Sequence, residues 1–263
     1  NSINLHRLYR NRGQIAALSQ TLRTNNLETL WTEIDNVPVN SNVLIHKSST
    51  NTIPTLVIER LMLHHENLKK SIKSLKSFLQ TKKDDPNDSN ANLSNKYSEQ
   101  IFRYLENLIV LCPRKYGIWS VEHIHETLVT GASEESLINW PEGTPVICGQ
   151  NQTDLGLSNG DIGITIGEGD SQQLLFRTNL EEEKLTTKLI HPARLKKLDP
   201  AFAITIHKAQ GSECKEVILL WPDELRGPSN TIKEPNKNKD YDKRLMYTAI
   251  TRAKESLYLI LNE

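Results

Sequence analysis

The 263-residue sequence lacks the features that mark several classes of protein. Its three cysteines, Cys112, Cys148 and Cys214, are widely spaced and form no CxxC pair, so neither a zinc cluster nor a disulfide framework is indicated. A reducing, cytoplasmic compartment is therefore expected. No apolar run reaches the roughly 18 residues of a membrane-spanning helix, and no membrane partner is expected.

The charge balance excludes a globally basic surface. The 32 lysines and arginines are matched by 32 aspartates and glutamates, so the formal net charge is zero. Any contact with nucleic acid must therefore come from local clusters of basic residues. The hydrophobic fraction of 37% is ordinary and provides a core for one large domain or two modest ones. The chain begins with Asn1 rather than methionine, as expected of a processed chain or a piece of a longer protein.

Several catalytic motifs are also missing. No glycine is followed by lysine, so the G-x-x-x-x-G-K-[ST] loop, which cradles nucleotide phosphates and supplies a Mg²⁺ ligand, does not occur. No GxSxG is present, and no cluster of acidic residues with a lysine indicates a nuclease. The histidine pairs at 64–65 and 123–125 lack the i, i+4 spacing of a helical zinc pair, so no metal site is predicted.

Apolar periodicity predicts α/β organisation in the first half of the chain. Helical spacing predicts helices in four segments: 1–24 after a polar start, 53–79, 97–105 and 121–129. Continuous apolar runs predict strands at 43–45 and 108–112. Residues 81–95 contain almost nothing apolar and predict a flexible loop.

The pattern changes near residue 144 and returns after Pro200. Short apolar runs separated by Gly, Asn and Asp turns predict an antiparallel β-module of about 50 residues. Beyond it we predict strands at 202–205, 217–221 and 257–260, a loop at 227–242 and a helix at 243–254. The predicted organisation is an α/β domain interrupted by an all-β insert, with segments 1–140, 141–198 (the insert) and 199–263.

Two blocks near the C-terminus carry polar groups where a core element would carry aliphatic ones. In the 205–213 block, a strand ends at Thr205 and a turn follows. Ligands gather at the carboxyl ends of parallel strands, and hydroxyl, imidazole, ammonium and amide groups bind phosphates and sugars. The alternative is a helix start whose polar residues cap and solvate it. In the 247–254 block, small neighbours leave Arg252 approachable, although a lone arginine is usually a solvated or ion-paired group.

Together the blocks read TxHKxQGxE and, about 35 residues later, YTAxTRA. This pair resembles motifs V and VI of superfamily 1 DNA helicases of the UvrD and RecD type. Three further stretches are similar to RecD, the α subunit of exodeoxyribonuclease V: 5–10 to its motif IV region, 111–117 to the strand and turn that follow, and 145–163 to its inserted SH3-like module. The resemblance implies the second RecA-like lobe of such a helicase, interrupted by an SH3-like insert.

The resemblance also implies the roles of particular residues. Arg10 and Arg252 would face the γ-phosphate, as catalytic arginine fingers. The nucleotide sugar and the turn beside it would involve Gln210, Gly211 and Glu213. Single-stranded DNA would be contacted by Thr205, His207 and Lys208, and the insert would contact DNA or a neighbouring domain through Asn151 and Asn159. For each asparagine, the alternative is a turn residue with left-handed backbone.

The implied activity is that of half a motor. ATP and Mg²⁺ would be used by the full-length protein, with the Mg²⁺ ligands on an N-terminal P-loop lobe, and this fragment alone would need neither and would not hydrolyse ATP. The implied partners are that lobe and single-stranded DNA, in recombination and double-strand-break repair. Whether other exodeoxyribonuclease V subunits bind, or the helicase stands alone, is left open. The alternative function is a non-enzymatic nucleic-acid-binding module on a degenerate helicase scaffold.

Overall fold

A computed structural model describes residues 12–24, 27–81, 91–128, 140–181, 184–222 and 235–262. The chain forms two compact units. The first combines the described parts of Asn1–Pro54, Leu108–Val121 and Ile204–Glu263, and the second those of Thr55–Asn107 and Glu122–Ala203. None of the described helices is long and apolar enough to cross a membrane.

The first unit contains a five-stranded sheet. Its strands are β1 (Val43–Ser48), β2 (Leu108–Cys112), β8 (Ala203–Thr205), β9 (Cys214–Trp221) and β10 (Ala253–Asn262), in the spatial order β1-β10-β9-β2-β8. The pairs β1–β10, β10–β9 and β9–β2 are parallel. The central strands β2 and β9 are almost wholly buried, as expected of a parallel sheet. The predicted α/β class with a parallel sheet is confirmed.

Three described helices belong to this unit: α1 (Gly13–Thr24), α2 (Leu27–Asp35) and α6 (Pro235–Ile250). Helix α1 buries Ile15, Leu18 and Leu22 completely or nearly so, at the three- and four-residue spacing of an amphipathic helix. Helix α6 similarly buries Leu245 and Met246. The apolar stripes of these helices account for their place in the core.

The second unit contains an antiparallel sheet. Its strands are β3 (Pro145–Cys148), β4 (Ile162–Ile166), β5 (Gln173–Glu181), β6 (Lys184–Ile190) and β7 (Leu198–Pro200), in the spatial order β6-β5-β4-β3-β7. The unit also includes α3 (Thr55–Thr81), α4 (Ala91–Leu105) and α5 (Val121–Leu128) except its first residue. The predicted antiparallel β-module is therefore present.

Helices α3 and α4 share one core with this sheet. The core residues are Leu68, Ile72 and Leu75 of α3, Ile101, Phe102 and Leu105 of α4, and Ile164, Ile166 and Leu175 of the sheet. Arg177 on β5 adds a link at the edge, because its guanidinium binds the carboxylates of Glu99 and Glu106 and lies over the ring of Phe102. The compact units therefore cross the predicted boundaries 1–140, 141–198 and 199–263, since apolar packing joins the helices to the sheet.

Several predicted element boundaries are wrong. Helix α4 begins at Ala91, inside the predicted loop 81–95, and α6 begins at Pro235, inside the predicted loop 227–242. The helix predicted for 243–254 ends at Ile250, because strand β10 begins three residues later. Helix α2 was not predicted at all, although Leu30 and Ile34 are buried at helical spacing.

Substitution of Gly163 tests the packing of the β-module. A Cβ atom at this position of β4 would lie 2.7 Å from the backbone oxygen of Leu175 and 2.7 Å from the ring of Phe176. We expect Gly163→Ala to lower the free energy of unfolding by about 1–3 kcal/mol, because an added methyl in a packed core forces its neighbours apart. Urea denaturation measures the change, with Gln173→Ala, at an exposed position of β5, as the control. Equal stability of the two variants would contradict the packing described.

Candidate functional site

The predicted site residues lie at opposite ends of the parallel strands. Thr205 is the last residue of β8, and the next backbone N–H, of Ile206, donates to the carbonyl of Cys112 at the end of β2 (3.1 Å). Glu213 and Arg252 instead precede β9 and β10. Within the 205–213 and 247–254 blocks, the residues predicted to meet DNA therefore lie at the carboxyl end, and the charged residues predicted to meet the nucleotide lie at the amino end.

Arg252 at the amino end is held by four hydrogen bonds to backbone groups. Its own N–H donates to the carbonyl of Ala249 (3.1 Å), and its carbonyl accepts from the N–H of Cys214 (3.0 Å). The guanidinium donates through Nε to the carbonyl of Thr248 (3.2 Å) and through Nη1 to the carbonyl of Ser212 (3.2 Å). Arg252 thus joins the end of α6 to the segment that leads into β9.

This anchored guanidinium keeps donors for a further partner. Arg252 is half-buried, and its two printed side-chain bonds use only Nε and Nη1. Within the described part of the chain, the Nη2 group makes no hydrogen bond. A fixed, partly desolvated guanidinium with unused N–H groups is suited to a phosphate oxygen, to which charge-assisted hydrogen bonds are strong.

The neighbouring residues form a thin, open turn. Glu213 is half-buried and pairs with the ammonium of Lys254 at 3.4 Å. Gly211 has a left-handed backbone (φ +95°), which L side chains rarely adopt, and no atom lies within 4 Å of a Cβ built there. Gln210 is exposed. The turn therefore allows a ligand to approach its backbone closely at Gly211.

At the carboxyl end, Thr205 organises a single helical turn. Its hydroxyl accepts from the N–H of Lys208 (3.4 Å), and its carbonyl accepts from the N–H of Ala209 (3.2 Å). Part of the alternative interpretation, a threonine that caps a turn, is therefore realised. The turn presents His207 and Lys208, both exposed, on its outer side.

His207 makes a contact that the sequence did not predict. Its Nε2 lies 3.1 Å from the hydroxyl of Tyr241 on α6, and the two rings are stacked, with centroids 5.9 Å apart and planes inclined by 26°. Asp242, the next residue, lies near the guanidinium of Arg114 in the segment after β2. Burial raises the pKa of the Asp242 carboxyl, and the Arg114 charge offsets part of that rise.

The two asparagines of the β-module organise a loop. The side-chain oxygen of Asn151 accepts from the backbone N–H of Asn159 at 2.7 Å, which closes the loop between β3 and β4. Both residues are exposed. The left-handed backbone considered for them is wrong, because Trp119 is the only non-glycine residue with positive φ in the described ranges. Arg10 lies outside the described residues.

Sequence reasoning assigned no role to three residues that contact Arg252 or His207 in the structure. Ser212 and Thr248 accept hydrogen bonds through their backbone carbonyls, and a backbone carbonyl is present whatever the residue type. Tyr241 fell within a predicted loop because Asn, Lys and Asp dominate residues 236–240. The four-residue spacing of Tyr241, Leu245 and Ala249 was a helical signal that could have found it.

Comparison with protein families identifies the class of domain to which this geometry corresponds. Residues 200–260 match the family model described as UvrD-like helicase C-terminal domain. The matched range contains β8, β9 and α6, and with them the residues described at both ends of these strands. It does not contain the segment after β2, which carries Arg114. Asn151 and Asn159 lie outside it.

The chain is also similar to curated proteins that carry one name. The chain is 28% identical over 225 residues to the RecBCD enzyme subunit RecD of Haemophilus influenzae, covering 83% of this chain and 31% of that protein. It is 30% identical over 171 residues to the RecBCD enzyme subunit RecD of Buchnera aphidicola subsp. Schizaphis graminum, covering 60% and 25% respectively. The chain thus spans about a third or less of these relatives. The predicted resemblance to the C-terminal region of a RecD-like superfamily 1 helicase is confirmed.

Among solved structures, the Pif1 helicase from Bacteroides in complex with ADP-AlF3 and ssDNA is similar at 17% identity. The match covers 80% of this chain and 50% of that chain, with a TM-score of 0.34. A score this low supports no conclusion about the fold or the site.

The hydrogen bonds of the Arg252 side chain predict how much it contributes to the stability of the fold. We expect Arg252→Ala to leave the chain folded and to lower the free energy of unfolding by about 1–3 kcal/mol, the net value of two partly buried hydrogen bonds. Lys254→Ala, which removes only the Glu213 ion pair, should cost less than about 1 kcal/mol. Urea denaturation of both variants measures the difference. A larger loss for Lys254→Ala than for Arg252→Ala would show that the guanidinium is not anchored as described.

Proposed function

We propose that this chain is the C-terminal motor lobe of an ATP-dependent DNA helicase of the RecD type. The observation that carries the proposal is Arg252, fixed between α6 and the 206–213 segment with donors left over, inside the range that matches a helicase C-terminal domain. In this proposal the parallel-sheet unit is a RecA-like lobe, and the antiparallel sheet of the second unit is an SH3-like insert.

The residues at the amino ends of β9 and β10 would complete a nucleotide site between two lobes. Arg252, joined by Arg10, would present its guanidinium to the γ-phosphate and stabilise the charge that develops during phosphoryl transfer, an effect worth about 10³ to 10⁵ in rate. Glu213 would accept a hydrogen bond from the nucleotide sugar, with Gln210 and Gly211 shaping the turn. The phosphate loop and the Mg²⁺ ligands would come from the N-terminal P-loop lobe, which this sequence does not contain.

The carboxyl-end cluster would grip single-stranded DNA. His207 and Lys208 are exposed there, and Thr205 orders the turn that carries them. Imidazole and ammonium groups suit phosphate contacts, which hold a strand without reading its sequence. On the insert, Asn151 and Asn159 would contact DNA or a neighbouring domain through the loop that they close.

The proposed setting is recombination and double-strand-break repair in the cytoplasm, beside other exodeoxyribonuclease V subunits. The support is the similarity to proteins named RecBCD enzyme subunit RecD.

The proposal predicts that the purified chain hydrolyses ATP only at the background rate, because it has no phosphate loop. Phosphate release with Mg²⁺ and single-stranded DNA measures this. In a protein that also contains the P-loop lobe, Arg252→Ala should lower turnover about 10³-fold or more. Arg244→Ala, which removes an exposed charge from helix α6, is the control. If the isolated chain hydrolyses ATP and Arg252→Ala abolishes that hydrolysis, the proposal that this chain holds only half of the nucleotide site is wrong.

The proposal also predicts salt-dependent binding of single-stranded DNA by the isolated chain. Each phosphate neutralised contributes about 0.7 to the slope of log affinity against log salt, so Lys208→Ala should reduce the slope by about that amount. Fluorescence anisotropy with an oligothymidylate measures it. Lys73→Ala, on an exposed position of α3, is the matched loss of charge. The DNA role of the turn is wrong if the two variants behave alike or if no DNA is bound.

A further inference from the structure

The exposed aromatic side chains of the described chain are confined to one place. Among its Phe, Trp and Tyr residues, only Tyr116 (58% exposed) and Tyr241 (51% exposed) face solvent. Both lie at the carboxyl end of the parallel sheet, Tyr116 four residues after β2 and Tyr241 beside His207. Exposed aromatic rings at a single edge of the sheet indicate a binding surface, because the other described aromatic rings are at least partly buried.

The segment that carries Tyr116 is fixed at both sides. The N–H of Val121 donates to the carbonyl of Arg114 (3.3 Å), which closes the loop over residues 114–121. Trp119 is 1% exposed, and its indole N–H donates to the carbonyl of Thr52 (2.9 Å). Trp119 also has φ +54°, a backbone conformation that is costly for a bulky residue. The buried Trp119 side chain therefore anchors the loop, and the loop holds Tyr116 at the surface.

Tyr241 is fixed in a different way, through the stacked and hydrogen-bonded ring of His207. This contact is itself exposed on both sides, so it excludes little water and contributes little to folding. Its evident effect is to set the plane of the Tyr241 ring. The two tyrosines belong to one edge, because Asp242 interacts with Arg114, two residues before Tyr116.

Basic residues adjoin the Tyr116 ring and His207, whereas Asp240 and Asp242 flank Tyr241 in the sequence. Arg114 and Lys115 precede Tyr116, Lys208 follows His207, and the ammonium of Lys115 lies 5.1 Å from the centroid of the Tyr116 ring. Rings interleaved with cations are the composition of surfaces that bind single strands, where bases stack on aromatic side chains and cations follow the phosphates. An apolar protein partner would not need the cations.

We propose that Tyr116 and Tyr241 form a stacking platform for the bases of single-stranded DNA. The inference rests on the proposed function and assigns to these two residues the part of the binding that depends on bases. Thr205, His207 and Lys208 supply the part that depends on phosphates. Stacking on a ring accepts any base, so the platform adds affinity without sequence preference and lets a strand move across it.

The test separates bases from phosphates. The purified chain and its variants are titrated with an oligothymidylate and with an abasic oligonucleotide of equal length, which keeps the phosphates and lacks the bases. Tyr116→Ala and Tyr241→Ala should each weaken binding of the oligothymidylate about tenfold and leave binding of the abasic strand unchanged. Tyr116→Phe and Tyr241→Phe keep the rings and should bind both strands as the unmodified chain does.

Two further measurements exclude a structural explanation. The salt slope should stay the same in the alanine variants of the tyrosines, because no charge is removed, and Val39→Ala, at a residue 88% exposed elsewhere in the first unit, should change nothing. Equal losses on the thymidylate and abasic strands, or no loss on either, would overturn the platform. If Lys208→Ala still lowers the salt slope in that case, the proposed function stands. If no oligonucleotide binds, both proposals fail.

Discussion

The parallel pairing of β9 with β10 brings Arg252 to Ser212. Ala253 lies opposite Cys214, one residue out of the register that pairs Ser256–Leu261 with Glu216–Trp221, and the residues that precede the two strands become neighbours. Strand β9 is central in its sheet, and its residues from Val217 to Trp221 are at most 1% exposed. Moving the register would take this apolar surface out of its packing, at about 25 cal/mol for each Å² returned to water. The buried strands therefore bring Arg252 close to Ser212, and the hydrogen bonds to Thr248 and Ser212 hold the guanidinium there.

The same two segments meet twice. Helix α6 and the two residues after it contact the 206–213 segment at the carboxyl end of the sheet through Tyr241 and His207, and at the amino end through Arg252 and Ser212. Both contacts are polar and partly exposed, so each is weak enough to change while the buried strands stay paired. A shift of α6 along this segment would alter the surroundings of His207 and of Arg252 together. Two sites that share an element can influence each other when that element has two arrangements that the sites favour differently.

The fold was predictable where the types of the side chains indicate which positions are buried. The apolar runs of β2 and β9 and the helical spacing of α3 are local patterns, and each element formed where predicted. Motif residues such as Thr205 and Arg252 were singled out because their types are unusual between apolar strands, and their roles stay predictions. The joint core of α3, α4 and the antiparallel sheet was not predictable, because it pairs residues as distant as Leu68 and Leu175 that no local pattern connects. The polar stretch at 236–240 likewise obscured the first turns of α6, which the pairing of Tyr241 with His207 made visible.

The loop of Asn151 and Asn159 shows why residue type alone misleads at polar positions. Asparagine is common both in turns and in contacts with nucleic acid, and the same side chain serves either purpose. Here the Asn151 amide oxygen is already occupied by the N–H of Asn159, so the amide contributes first to loop closure. Arg252 likewise keeps part of its hydrogen-bonding capacity, because its structural bonds use only Nε and Nη1. Hydrogen bonds within the fold and contacts with a ligand can therefore involve different atoms of one side chain, which residue type does not distinguish.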